Sequence, residues 1–375
     1  MARLDVQEEG ASGAQAVAPG AVPDAARPAA GPRLAQGRHA SRRRNVLVLL
    51  ALTVLLAASL ALSLALGRYE VDFGSLLSSL AALASGNPDA ALDAKVFFTI
   101  RAPRVVAALV VGAALAGAGC AFQGIFKNPM VSPDLLGASA GACFGAALGI
   151  LLSFGSVGIE VAAFATGIVA VAASYLLSNA IGRRMGGVLV LVLSGLVIGN
   201  LFQAFTSAVK FLADPNSQLP EITFWLMGGL SNVREGDLFG LVVAFAVGCV
   251  GLMALRWRLN IMALGDEEAA SLGVNVRRTR LAVIALATLL TAGSVAVAGM
   301  VGWVGLIVPH MARFLVGPDH RWLVPASMLL GGTFLLLVDD VCRSIYTTEI
   351  PLSILTAVLG APLFVYLICR RRGCA

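Results

Sequence analysis

Charged residues cut this chain into long apolar stretches. Residues 45–67, 105–126, 135–159, 161–182, 185–209, 238–255, 281–312, 322–338 and 350–369 contain no Asp, Glu, Lys or Arg. A helix needs about 20 apolar residues to cross a hydrocarbon core about 30 Å thick, and these runs have that scale. The 281–312 run is long enough for two crossings, and Gly299, Gly302, Gly305 and Pro309 punctuate it, which predicts a break there and ten spans in all. Inside lipid the backbone must be paired within helices or within a closed barrel, and continuous runs without period-two alternation exclude the barrel. The pattern therefore predicts an all-α polytopic membrane protein with ten transmembrane helices.

The polar positions add an orientation. Arg42, Arg43 and Arg44 precede the first run and Arg370, Arg371 and Arg372 follow the last, so the positive-inside rule places both termini in the cytoplasm. Ten spans threaded from that start put 20 of the 27 Lys and Arg residues inside. Residues 1–44, rich in Ala, Gly, Pro and Arg without periodicity, are expected to form a disordered cytoplasmic tail, and residues 45–372 the membrane domain. Ser41-Arg42-Arg43-Arg44 has the look of a twin-arginine export signal, but the run behind it is long for a cleavable segment and further spans follow, so it reads as an anchor. A 58% hydrophobic content, 13% charge and mean hydropathy of +0.87 agree with a membrane protein. The net charge of +6 then reflects orientation signals and calls for membrane lipid, not nucleic acid, as the surrounding partner.

Several chemistries find no support in the residues. Cys120, Cys143, Cys249, Cys342, Cys369 and Cys374 have no CxxC spacing and read as small packing residues, and three histidines are too few for a histidine-rich metal or haem site. No lysine follows a glycine, so there is no phosphate-binding Walker loop, and any ATP is used by a partner chain. Gly137-Ala138-Ser139-Ala140-Gly141 matches the serine-hydrolase pattern G-x-S-x-G, with His310 the imaginable base. The same residues fall in a Gly137, Gly141, Gly145, Gly149 series whose spacing lets helices approach closely in lipid, and packing accounts for them without catalysis. Glu160, Asp339 and Asp340 lie at the ends of apolar runs, away from the midplane positions an ion-coupled transporter uses; Asp339 and Arg343, four apart, are expected to pair.

Two connecting segments carry more information. Glu221–Val233, with Trp225, predicts a short interfacial helix. In the 256–280 loop, Gly265-Asp266-Glu267-Glu268-Ala269-Ala270-Ser271-Leu272-Gly273 places three acids in a first turn and a glycine stop at the end. That is a short helix displayed in the cytoplasm, and it suits an element that sits in a partner's groove.

At this point the sequence resembles a known family. Arg101-Ala102-Pro103-Arg104, Gly112-Ala113-Ala114-Leu115-Ala116, Gln123-Gly124, Lys127-Asn128-Pro129-Met130-Val131-Ser132-Pro133-Asp134-Leu135-Leu136-Gly137, Gly302-Trp303-Val304-Gly305 through Pro309-His310-Met311-Ala312-Arg313 and Gly360-Ala361-Pro362 resemble, in order and spacing, the FecCD/BtuC-type permeases. The resemblance covers residues 45–372 and implies a BtuC-like bundle. It implies the membrane subunit of a type II ABC importer for iron-siderophore, haem or cobalamin, with two ATPase subunits, an extracytoplasmic substrate-binding protein and a second permease copy or paralogue. It implies that this chain binds no cofactor and has no catalytic site of its own, that the 265–273 segment couples to the ATPase, and that Arg101, Arg104 and Arg343 form an outer docking surface for the binding protein. Gln123, Asn128, Pro129, Gly137, Ser139, Gly141, Pro309 and His310 are the corresponding pathway and packing positions. The chain departs from the family in its N-terminal tail, in Asp340 beside Asp339, and in Trp303. Against this stand two other readings, an ion-coupled secondary transporter and a membrane protease built on Ser139.

Overall fold

The computed structural model describes residues 32–66, 97–182, 187–345 and 349–371. The tail expected over residues 1–44 lies mostly outside them, as do most of the connection after the first run and Arg372. Among the described residues every regular element is helical: α1 (Pro32–Ala65), α2 (Ala102–Ile125, entered through a π-turn at Phe97–Arg101), α3 (Ala138–Leu151), α4 (Ser156–Gly182), α5 (Gly187–Leu212), α6 (Gln218–Met227), α7 (Glu235–Met262), α8 (Asp266–Ser271), α9 (Val276–Ala298), α10 (Val304–Val316), α11 (His320–Ser344) and α12 (Leu352–Arg371). Among the described residues seven helices are long and apolar enough to cross a membrane, and α3, α10 and α12 are shorter apolar helices.

Burial sorts these helices into a core and a lipid-facing shell. In its most apolar stretch α2 is 89% buried, against 17% for α1, 33% for α4, 28% for α5 and 22% for α7, so α2 is the central post around which α7, α9, α10 and α11 pack. Its composition explains the position. A Cβ on Gly112 would stand 2.9 Å from the Gly331 carbonyl carbon of α11, and one on Gly119 would stand 2.9 Å from the Gly305 Cα of α10. Lipid supplies no hydrophobic drive between helices, so such backbone-to-backbone approach is how they gain dispersion contact. The glycines of α3 act in the same way: a Cβ on Gly141 would stand 2.5 Å from the Thr166 carbonyl oxygen of α4.

The expected break in the 281–312 run is present but narrower than its glycine and proline content suggested. Gly299 (φ 66°) ends α9, Trp303 (φ 70°) opens α10, and Pro309 lies inside α10 without interrupting it. The interfacial helix expected within Glu221–Val233 begins earlier, at Gln218, and stops at Gly228, whose φ of 72° is open to glycine at little cost. After it the chain turns back onto the core: the Gly229 amide donates to the Ala298 carbonyl at 2.9 Å and the Leu352 amide to the Gly228 carbonyl at 3.0 Å.

Candidate functional site

The displayed segment forms as its sequence predicts. Asp266, Glu267 and Glu268 fill the first turn of α8, where negative charge meets the exposed amides of a helix start. At the other end Gly273 (φ 80°) closes the helix: its amide donates to the Ala270 carbonyl and the Val274 amide to the Ala269 carbonyl, both at 3.0 Å, the paired arrangement of a Schellman stop. Gly265, Ala269 and Val274 are buried, whereas Glu267, Glu268, Ala270, Ser271 and Leu272 are exposed. Leu264 and Leu272 expose 66% and 58% of their surface at the two ends of α8, so the element presents two leucines framed by carboxylates. Its base is fixed by charge. Asp266 bonds Arg280 of α9 at 2.7 Å and lies 3.6 Å from the Lys127 ammonium. Partial burial pushes the Asp266 carboxyl up, but Arg280 and then Lys127 outweigh it and hold the group below its ordinary range.

Beside α8 lies the segment that joins α2 to α3. Gln123, buried near the end of α2, donates to the Leu306 carbonyl at 3.1 Å and accepts from Arg313 at 3.3 Å, which ties α2 to α10 at two points. Asn128 is exposed and accepts from the Met130 amide at 2.9 Å, and Pro129 is half-buried, so this pair shapes the turn. Gly137, at φ 84°, passes the chain from the Pro133–Leu136 turn into α3, lying against Gly199 of α5. Ser139 donates its hydroxyl to Asp134, which also takes the Ser132 hydroxyl at 3.3 Å, a local clasp that gives this serine a structural use. Pro309 and His310 are buried in α10, with the His310 ring edge-on to Phe314 at 5.2 Å.

The opposite side holds the arginines. Arg101, Arg104 and Arg343 are buried within the chain. Arg104 grips Asp339 of α11 through Nε and Nη2, each at 2.9 Å, and reaches Glu349 with Nη1 at 2.7 Å. Arg343 bonds Asp340, lies 3.9 Å from Asp339, and donates to the Ser63 carbonyl of α1 at 2.6 Å. Arg101 donates to the Leu64 carbonyl at 2.8 Å. The expected pairing of Asp339 with Arg343 is present but is the longest contact in the set. Arg104 and Arg343 face Asp339, Asp340 and Glu349, and a charge is tolerated in a low-dielectric interior only when it is paired and hydrogen-bonded in this way. Arg104, Asp339 and Glu349 also line a cavity of about 260 Å³ together with Glu160, Trp225 and Asp237. Sequence reading missed Glu349 and Ser63 as partners, because nothing local in the chain marks a contact across 245 or 280 residues.

A bundle of apolar helices with small-residue contacts, an acidic helix displayed at one end and a neutralised charge cluster at the other defines a multi-pass membrane transport protein. The chain belongs to the FecCD transport family, whose model matches residues 55–370. It is 40% identical over 327 residues to the molybdate import system permease protein MolB of Haemophilus influenzae, covering 87% of this chain and 96% of that one. It is 41% identical over 271 residues to the cobalamin import system permease protein BtuC of Halobacterium salinarum, covering 72% of each. Among solved structures, a metal-chelate type ABC transporter in an inward-facing conformation matches at a TM-score of 0.78 and 38% identity, covering 86% of this chain and 99% of that one.

Proposed function

We propose that this chain is the permease subunit of an ABC importer in the cytoplasmic membrane, carrying a metal chelate inward, with an iron-siderophore as its cargo. Partner ATPase subunits supply the free energy, an extracytoplasmic binding protein delivers the cargo, and a second copy or a paralogue completes the pathway. The observation that carries the reading is α8: a capped helix with Leu264 and Leu272 exposed and Asp266 clamped at its base is shaped to transmit a push from a partner, in a chain without a phosphate-binding loop. ATP binding and hydrolysis in the partners select between outward- and inward-facing packings of the bundle, and the difference in partner contacts between the two states sets how far the balance moves.

The same reading assigns ten spans, the seven long helices and the three shorter apolar ones, and places both termini in the cytoplasm. Reporter fusions before Arg44 and after Arg370 test it, and termini on opposite sides would show that α9 and α10 do not both cross. Cargo is tested by uptake into cells expressing this permease with its cognate ATPase and binding protein, supplied in parallel with labelled ferric siderophores, haem, cobalamin and molybdate. Saturable uptake of a ferric siderophore is expected; uptake of molybdate alone would contradict the chelate assignment.

A further inference from the structure

Among the described residues Asp266 is the one acid of the first turn of α8 that forms ion pairs, and two cations from different parts of the chain meet it. They are not equivalent. Arg280, on the first turns of the adjoining α9, is mostly buried and hydrogen-bonded at 2.7 Å, so it anchors α8 to α9. Lys127 comes from the opposite side, at the end of α2, lies 3.6 Å away and is about 39% exposed. It adopts φ 51°, a left-handed backbone that a lysine seldom takes, and one of three such non-glycine residues among those described. That backbone is the stop of α2: the Lys127 amide donates to the Gly124 carbonyl at 3.4 Å and the Asn128 amide to the Gln123 carbonyl at 3.3 Å, which fixes where the lysine leaves the helix.

Resting on the importer reading above, we infer that Lys127 and Asp266 form a releasable link that passes movement of α8 to the inner end of the pathway. Lys127 leads directly into Asn128 and Pro129, and that turn is tied through the Val131 carbonyl and Gln123 to α10. An exposed ion pair contributes little net stability, which makes this contact a poor structural brace but one that breaks and reforms readily. The buried Arg280 contact keeps α8 attached when the Lys127 contact opens. Lys127 is therefore a positioning residue: it sets when the 127–137 segment follows α8, not whether α8 is present.

The test uses the complete importer, permease with ATPase subunits and binding protein, in proteoliposomes, comparing ATP hydrolysed with cargo taken up. K127M is expected to assemble normally, to lower uptake per ATP severalfold and to raise hydrolysis in the absence of loaded binding protein. K127E, which sets like charges together, is expected to do so more strongly, and K127R to restore the wild-type ratio. An unchanged ratio in both K127M and K127E would overturn the inference, and so would failure of K127M to assemble, since Lys127 would then be a structural brace. The wild-type complex separates this outcome from the reading beneath it: without ATP-dependent uptake in wild type the importer reading itself fails, whereas wild-type uptake with an indifferent K127M removes only the link.

Discussion

Arg104 of α2 and Asp339 of α11 meet through two parallel contacts of 2.9 Å, although 235 residues separate them in sequence. The Asp339 side chain is fully buried and that of Arg104 nearly so, so each charge depends on the other for compensation. Removing one partner of such a pair leaves the other uncompensated, at a cost of about 3–5 kcal/mol, whereas replacing both by apolar residues of similar volume is close to neutral. D339A is therefore expected to lower the thermal unfolding midpoint of the purified permease in detergent, and R104M/D339L to recover much of the loss. Equal stability of D339A and wild type would show that the pair is not what holds α2 to α11.

The same burial changes how docking has to be tested. Charge reversal is the usual probe of a docking surface such as the one the resemblance implies at Arg101, Arg104 and Arg343. Each of these side chains is buried and bonded within the chain, so R104E and R343E place like charges beside Asp339 and Asp340 and are expected to reduce the yield of folded protein. Size-exclusion profiles of the solubilised variants check this before any binding measurement is interpreted.

For α8 the expectation is separable from folding. Ala270 is exposed, and proline in a helix interior costs about 3 kcal/mol relative to alanine, a loss confined to a six-residue element. A270P is expected to leave the membrane helices assembled, with a near-normal unfolding midpoint, while co-purification of the ATPase and ATP-driven uptake fall together. Retention of both would remove α8 from the coupling surface. A269P is a harsher variant, because Ala269 is buried and its amide donates to the Gly265 carbonyl at 3.0 Å.

The base of α8 also has a pH signature. The Asp266 carboxyl is held below its ordinary value because Arg280 and Lys127 favour its charged form over the burial that opposes it. A group depressed in the folded state stabilises it at every pH above its unfolded value, and that contribution is lost only as pH falls through the lower folded value. Attachment of α8 is therefore expected to be flat across neutral pH and to weaken only below the ordinary carboxylate range. Amide hydrogen exchange over residues 264–275 reports this, with D266N expected to show at neutral pH the faster exchange that wild type shows only in acid. Equal protection in D266N and wild type would contradict it.

Much of the fold could be read from sequence because its determinants are local. Apolar runs fix the helices, Gly273 fixes the stop of α8, and the series Gly112, Gly141 and Gly145 marks where backbones touch. Asp339 and Asp340 show the limit. Sequence reading ended the apolar run at Val338 and left these acids at a helix terminus, yet α11 continues to Ser344 with both acids buried. What permits this is Arg104 and Arg343, and the Arg104 contact depends on how α2 packs, which no local pattern encodes. Lys127 and Asp266 were individually legible, one in the Lys127-Asn128-Pro129 turn and one in the α8 first turn, but their meeting depends on where the end of α2 arrives relative to α8.

Partner ATPases, not an ion gradient, are expected to drive transport through this chain. The most direct measurement is uptake of a labelled ferric siderophore into proteoliposomes holding the permease and its ATPase subunits, with loaded binding protein outside and ATP inside. Uptake that requires ATP, disappears with the non-hydrolysed analogue and is indifferent to a proton or sodium gradient is the predicted result. Gradient-driven uptake by the permease alone, without ATPase or ATP, would contradict the account.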